Sequence, residues 1–228
     1  MLAALCLGMA AAFAAGADGL SQRPLGPRPA AGGRTLFTLL KPDETGIHLQ
    51  NPYDDPRMWG DLYYEFESGS IGTGVAIGDF DGDGRPDIFV ATKTHGCRLY
   101  RNLGNSRFQD VTEAAGVAGT PGIWNEGVAF VDLFNTGRLD IYVCRFNAPN
   151  LLYVNQGDGT FKEMAHQAGL DVVDASVSAA FQDTTGSGRL DVLIQTNVLS
   201  NARQPNGRRN YLFRNNGDGT FTQVTDQA

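Results

Sequence analysis

The residues best suited to chemistry in this 228-residue chain are the aspartates of Asp79-Phe80-Asp81-Gly82-Asp83-Gly84-Arg85-Pro86-Asp87. Four carboxylates fall at positions 1, 3, 5 and 9 of this stretch. Two unit charges about 4 Å apart repel by about 4 kcal/mol at an effective dielectric of about 20, so crowded carboxylates call for a counter-ion. A hard divalent cation is the simplest one, and calcium suits a flexible loop of mixed oxygens. The expected ligands are the side chains of Asp79, Asp81, Asp83 and Asp87 and the backbone carbonyl of Arg85. Gly82 and Gly84 would let the chain turn tightly enough for these oxygens to converge. A solvated acidic hairpin without metal is the bland alternative. The alternation of the carboxylates favours a converging ligand set.

An EF-hand shares the opening of this motif but needs an acidic residue at position 12 and a following helix. Position 12 is Val90. The flanks, Gly74-Val75-Ala76-Ile77-Gly78 and Ile88-Phe89-Val90-Ala91-Thr92, are short and rich in β-branched residues, which predicts strands on both sides.

The elements that position the loop recur. Gly74 to Asp79 returns as Gly127-Val128-Ala129-Phe130-Val131-Asp132 and as Ser178-Ala179-Ala180-Phe181-Gln182-Asp183. Arg85-Pro86-Asp87-Ile88 returns as Arg138-Leu139-Asp140-Ile141 and Arg189-Leu190-Asp191-Val192. Leu99-Tyr100-Arg101-Asn102 returns at Leu152 and Leu212, followed by a Gly-rich turn and a strand opened by Phe108, Phe161 or Phe221. Each unit of about fifty residues reads as four short strands, a period that falls among propeller repeats. One such sheet cannot bury both faces, so the units are expected to stack radially as blades of an all-β propeller. The expected organisation is a signal peptide over 1–15, a Pro- and Gly-rich linker over 16–33, and a partial propeller over 34–228. Its units span about 74–112, 127–165 and 178–225, with an isolated outer strand at 36–40. Three units are fewer than the usual four to eight blades. This points to the N-terminal part of a longer protein, or to a homo-oligomer that closes the ring between chains.

These residues resemble the FG-GAP/VCBS repeat. The resemblance is strongest in Val75-Ala76-Ile77-Gly78-Asp79-Phe80-Asp81-Gly82-Asp83-Gly84 with Asp87-Ile88-Phe89-Val90. Such repeats occur in integrin α-subunit propellers, in secreted bacterial proteins and in cartilage-acidic-protein-like proteins. The resemblance implies a seven-bladed β-propeller with calcium between the first and second strands of a blade. The later units depart from the pattern. In the second, Phe134 and Thr136 replace two carboxylates, which excludes calcium there. In the third, Asp183, Thr185, Ser187 and Asp191 make at best a weak site. Arg138 and Arg189 are expected to pair with the remaining carboxylates in the cation's place.

No catalytic constellation stands out. His48, His95 and His166 share no ligand spacing, and Asp158 and Asp218 sit in G-D-G turns that favour Asp for backbone reasons. The formal net charge of −7 argues against nucleic acid and anionic membranes. Residues 1–15 are apolar but too short to span a bilayer, so membrane insertion is not expected. Cys97 and Cys144 read as two buried thiols.

Long loops carry function disproportionately. Candidate partner-binding residues are therefore Trp124 and Asn125 in a link between blades, and Asn201, Arg203 and Arg208 in the insertion from Thr196 to Arg209. Trp124 could instead be a wedge between blades, and Trp59, Tyr63 and Tyr64 are expected to be buried. The reading is a secreted, periplasmic or cell-surface module for binding and adhesion, stabilised by calcium, contacting protein or glycan. The alternative is a polysaccharide lyase or hydrolase whose active residues lie outside this segment.

Overall fold

The structure is a computed structural model that describes residues 37–69, 72–197 and 209–227. The expected signal peptide and linker, and Asn201, Arg203 and Arg208, lie outside the described residues. The chain divides into two compact units, residues 1–39 and 40–228. Of the first, only Phe37 to Leu39 are described, and Phe37 and Leu39 are largely exposed.

Among its described residues the second unit holds twelve strands in chain order. They are β1 (Gly74–Gly78), β2 (Asp87–Ala91), β3 (Cys97–Gly104), β4 (Arg107–Asp110), β5 (Asn125–Val131), β6 (Asp140–Pro149), β7 (Leu151–Asn155), β8 (Phe161–Glu163), β9 (Val173–Gln182), β10 (Asp191–Thr196), β11 (Tyr211–Asn215) and β12 (Phe221–Gln223). Within each group of four, neighbours pair antiparallel in chain order. The second and third groups also join, because β6 runs past the end of β5 and pairs with β9, Phe146 facing Ala175 and Pro149 facing Val173.

Alternation along the strands explains the stacking. In β6, Ile141 and Val143 enter a core shared with Phe89, Ala91 and Leu99 of the first group. Tyr142 and Cys144, one residue out of phase, enter a second core with Val192, Ile194 and Phe213 of the third. A strand with both faces buried reads as a continuous apolar run, as β6 does. The outer faces differ. Val75 and Ile77 in β1 are 60% and 68% exposed, and Leu193 in β10 is 44% exposed. Side chains also tie the groups together: Asn155 Nδ2 donates to Phe80 O at 2.8 Å, and Asn215 Nδ2 to Leu133 O at 3.3 Å.

Each link repeats a short helix closed by a left-handed glycine: α1 (Pro42–Thr45) with Gly46, α3 (Thr112–Ala115) with Gly116, and α4 (Ala165–Ala168) with Gly169. A Cβ on these three glycines would meet the carbonyl oxygens of Phe108, Phe161 and Phe221 respectively. The helix and glycine before the first group therefore follow the repeat, but the expected outer strand over 36–40 does not. Phe37 lies in a bend and residues 38–40 belong to no strand. A 3₁₀ turn (Pro56–Trp59) and α2 (Tyr63–Gly69) precede β1.

Candidate metal centre

The three β-hairpin loops between first and second strands share one backbone frame. Position 4 has positive φ in all of them: Gly82 at 75°, Asn135 at 55° and Gly186 at 72°. So does position 6: Gly84 at 82°, Gly137 at 77° and Gly188 at 77°. These left-handed residues aim successive backbone N–H groups at the aspartate in position 1. Gly82, Asp83 and Gly84 donate to Asp79 at 2.8, 3.1 and 2.8 Å. Thr136 and Gly137 donate to Asp132 at 2.8 and 2.7 Å. Thr185, Ser187 and Gly188 donate to Asp183 at 3.1, 3.0 and 2.7 Å. Hydrogen bonds to the ionised form favour it, and backbone donors, with Gly188 foremost, hold the Asp183 carboxyl below its usual range.

The aspartate in position 9 is buried in every loop and clamps the second strand to the third. Asp87 accepts from Phe80 N at 3.1 Å and Asn102 N at 2.7 Å. Asp140 accepts from Leu133 N at 3.2 Å and Asn155 N at 2.9 Å. Asp191 accepts from Thr184 N at 3.2 Å and Asn215 N at 2.9 Å, and from the Thr184 hydroxyl. Burial pushes the Asp140 carboxyl up to about 6, against the pull of its two N–H donors. Asp191 is also pushed up by burial, but the Thr184 hydroxyl and backbone donors outweigh this and leave it lowered.

Only the first loop brings a third carboxylate in. Asp79, Asp81 and Asp87 each offer an oxygen, and the three oxygens lie within 4.8 Å of one another. Asp83 is drawn to one side, where its carboxylate pairs with Arg85 and, at 3.5 Å, with Arg101. Arg101 Nε lies 2.6 Å from Asp81 Oδ2 as an ion pair whose geometry makes no hydrogen bond. Burial raises the Asp87 carboxyl, with the Asp81 and Asp83 charges adding to the shift over the opposing N–H bonds. Four carboxylates facing two guanidiniums leave two negative charges, the complement of one divalent cation. An all-oxygen, carboxylate-rich donor set fits a hard cation such as calcium. In the second loop, Phe134 and Thr136 bring no carboxylate to the equivalent place, and Asp132 and Asp140 serve the backbone.

Arg138 and Arg189 are held chiefly by the backbone, although the Arg138 charge favours the ionised form of Asp140. Their Nε groups donate to the carbonyls of Asn155 and Asn215, both at 3.3 Å. Their stems lie flat over Gly157 and Gly217, and neither makes an ion pair among the described residues. Arg85 makes the same contact to Asn102 O at 2.8 Å, so this arginine buttresses the third strand in every unit. Arg101 was not expected as a member of the site. The β2–β3 register, Ile88 facing Tyr100, brings its strand back beside the loop.

Of the proposed partner-facing residues, the two that are described, Trp124 and Asn125, are core, as the wedge reading of Trp124 expected. Trp124 is 2% exposed, stacks on Phe146 at 5.0 Å and donates its Nε1–H to Asp55 Oδ2 at 2.8 Å. Asn125 is fully buried and donates from Nδ2 to Thr92 O at 2.8 Å. Beneath the indole lies a buried ion pair, Lys93 Nζ to Glu126 Oε1 at 2.5 Å. The link packs inward because residues 53–66 fold over it, Met58 and Phe66 closing the cluster. That same cap turns Trp59, Tyr63 and Tyr64 outward, at 62%, 40% and 63% exposure, against the expected burial. The histidines do not converge. His95 and His166 each face a carboxylate of their own, Asp54 and Asp171. Asp158 and Asp218 accept from Thr160 and Thr220 within their turns. Cys97 and Cys144 are free and buried, and burial pushes the Cys97 thiol up to about 12.

Successive four-stranded antiparallel sheets, packed face to face and carrying an aspartate-framed loop between first and second strands, define a repeat protein of the β-propeller type. The FG-GAP-like repeat family matches residues 79–143 and 132–194, just over half of the chain. This chain belongs to that family. Cartilage acidic protein 1 of Homo sapiens is 29% identical over 214 residues, covering 83% of this chain and 31% of that protein. The Xenopus tropicalis protein of the same name is 28% identical over 173 residues, covering 68% and 25%. That of Mus musculus is 32% identical over 99 residues, covering 42% and 15%. The chain spans about a third or less of the length of these relatives. No helix among the described residues is long and apolar enough to cross a membrane.

Proposed function

We propose that this chain is part of a secreted β-propeller, seven-bladed when complete, that acts by binding rather than catalysis and contacts a protein or glycan. Calcium held by Asp79, Asp81 and Asp87 stiffens its first blade. The convergence of those three carboxylate oxygens within 4.8 Å supports this most strongly. The cation draws a loop, a buried clamp residue and the β1–β2 edge into one rigid unit, and a ligand that binds only the folded chain raises its stability by mass action.

The test is thermal melting in calcium, in chelator, and after calcium is restored. A lower, reversible melting temperature in chelator is expected. Identical melts in the three conditions contradict the proposal.

A further inference from the structure

The loop face carries two crevices in equivalent places between successive blades, and their chemistry is opposite. The first, of about 100 Å³, is walled by Asp79, Asp81 and Arg138 and floored by Gly157 and Gly159. The second, of about 340 Å³, is walled by Phe134, Asn135 and Arg189 and floored by Gly217 and Gly219. No carboxylate lines it. Carboxylates close to it in the chain or bonded to its lining are engaged: Asp191 accepts from Asn215 N, Asp183 accepts the backbone N–H groups of its own loop, and Asp218 accepts from Thr220. Arg189 is the one charged residue among those that line it. Its Nε is held by Asn215 O and its stem by Gly217, which fixes the guanidinium plane. Its two terminal nitrogens make no hydrogen bond or ion pair with the described residues.

We propose that this second crevice binds an anionic sugar ring, a pyranose bearing a carboxylate or a sulfate ester. Three features converge on that class. A fixed guanidinium with unused N–H groups suits a planar or tetrahedral oxyanion. The half-buried Phe134 ring, held edge-to-face by Phe221 at 6.3 Å, offers a face to the C–H side of a sugar. Asn135 Nδ2 is spent on Gly188 O at 2.7 Å, which leaves its Oδ1 as an acceptor for a hydroxyl. The volume lies within the range of small-molecule sites, whereas a bare carboxylate or sulfate needs neither the aromatic wall nor the space. The inference names a glycan as the partner in the proposed binding function and rests on that reading, but not on the calcium site.

The test is a titration of the whole chain, in excess calcium and in chelator, with methyl β-glucuronide, glucose 6-sulfate and methyl β-glucoside, followed by amide chemical shifts. Saturable shifts at Gly217, Gly219 and Asn135 are expected with at least one anionic sugar, and at least tenfold weaker binding of the neutral glucoside. Arg189→Gln should weaken the anionic sugar tenfold or more. Arg138→Gln, the same change in the acidic crevice, should leave it unaltered and serves as the folding control. Anionic-sugar binding that persists in chelator, with an unchanged melt, upholds this site while removing the calcium staple. Absence of saturable binding by both anionic sugars, equal binding of the glucoside, or equal losses in the two arginine variants overturns the inference. So does displacement of the sugar by an aspartate-containing tetrapeptide that binds more tightly.

Discussion

The loops of the first and second blades share one frame, but two of the four carboxylates in the first, Asp81 and Asp83, are Phe134 and Thr136 in the second. Asp79 and Asp132 accept the same pair of N–H groups, from positions 5 and 6. Asp87 and Asp140 make the same buried clamp. Yet Asp81 completes a triad in one loop, and Phe134 packs on Phe221 in the other. Two of the four carboxylates in the acidic motif are thus architectural, kept wherever the loop is kept. On the proposed reading, the cation preference is a separate property added at position 3. The second loop keeps the shape of the first without the third carboxylate, so the frame does not depend on that carboxylate.

The sharpest way to break this comparison is to remove the clamp from each blade. Asp87→Ala and Asp140→Ala each leave two N–H groups without an acceptor. At about 1–3 kcal/mol for each orphaned buried donor, both should lose about 2–6 kcal/mol, seen as a fall in melting temperature of about 4–24 °C. Calcium binding should vanish only in Asp87→Ala. Next comes Asp81→Ala, which spares the frame. In calcium at about 100 times its Kd, the wild type should gain about 2.7 kcal/mol and the variant nothing, measured by denaturant unfolding with and without chelator.

The third test uses pH. Asp140 sits at about 6 in the folded chain, against 3.8 for the free group. Between these values the folded chain holds a proton that the unfolded chain has released, so stability falls as pH rises from about 4 to 6 and levels off above. The full difference corresponds to at most about 3 kcal/mol. Asp191 is shifted down, so its contribution has the opposite sign and is lost only in acid. Denaturation of Asp140→Asn at several pH values should show a flatter slope across this window. An unchanged slope would assign the proton elsewhere. The smallest effect belongs to Asp132→Ala. It should cost no more than about 1 kcal/mol at its exposed loop and leave the calcium titration identical to wild type.

Much of the frame was legible in the sequence, because the strand alternation, the paired turn residues and the Asp at positions 1 and 9 recur at matching offsets. The metal-independent role of those two aspartates was also visible in principle: they persist in units where positions 3 and 5 have changed. Arg101 was hidden because its approach depends on strand register rather than on spacing along the chain. Trp124 and Asn125 looked like loop residues. Only the fold of residues 53–66 over them, with a buried Lys93–Glu126 pair beneath, makes them core. The same cap explains why Trp59, Tyr63 and Tyr64 face outward. Arg138 and Arg189 misled because a charge beside carboxylates suggests pairing, whereas the turn carbonyls of Asn155 and Asn215 lie within their reach.

Calorimetric titration of calcium into the wild-type chain and into Asp81→Ala tests the separation of frame from ion most directly. One strong binding event per chain is expected in the wild type, and none in the variant at an undiminished chelator-state melting temperature. A strong event that survives in Asp81→Ala, or no event in the wild type, would contradict it.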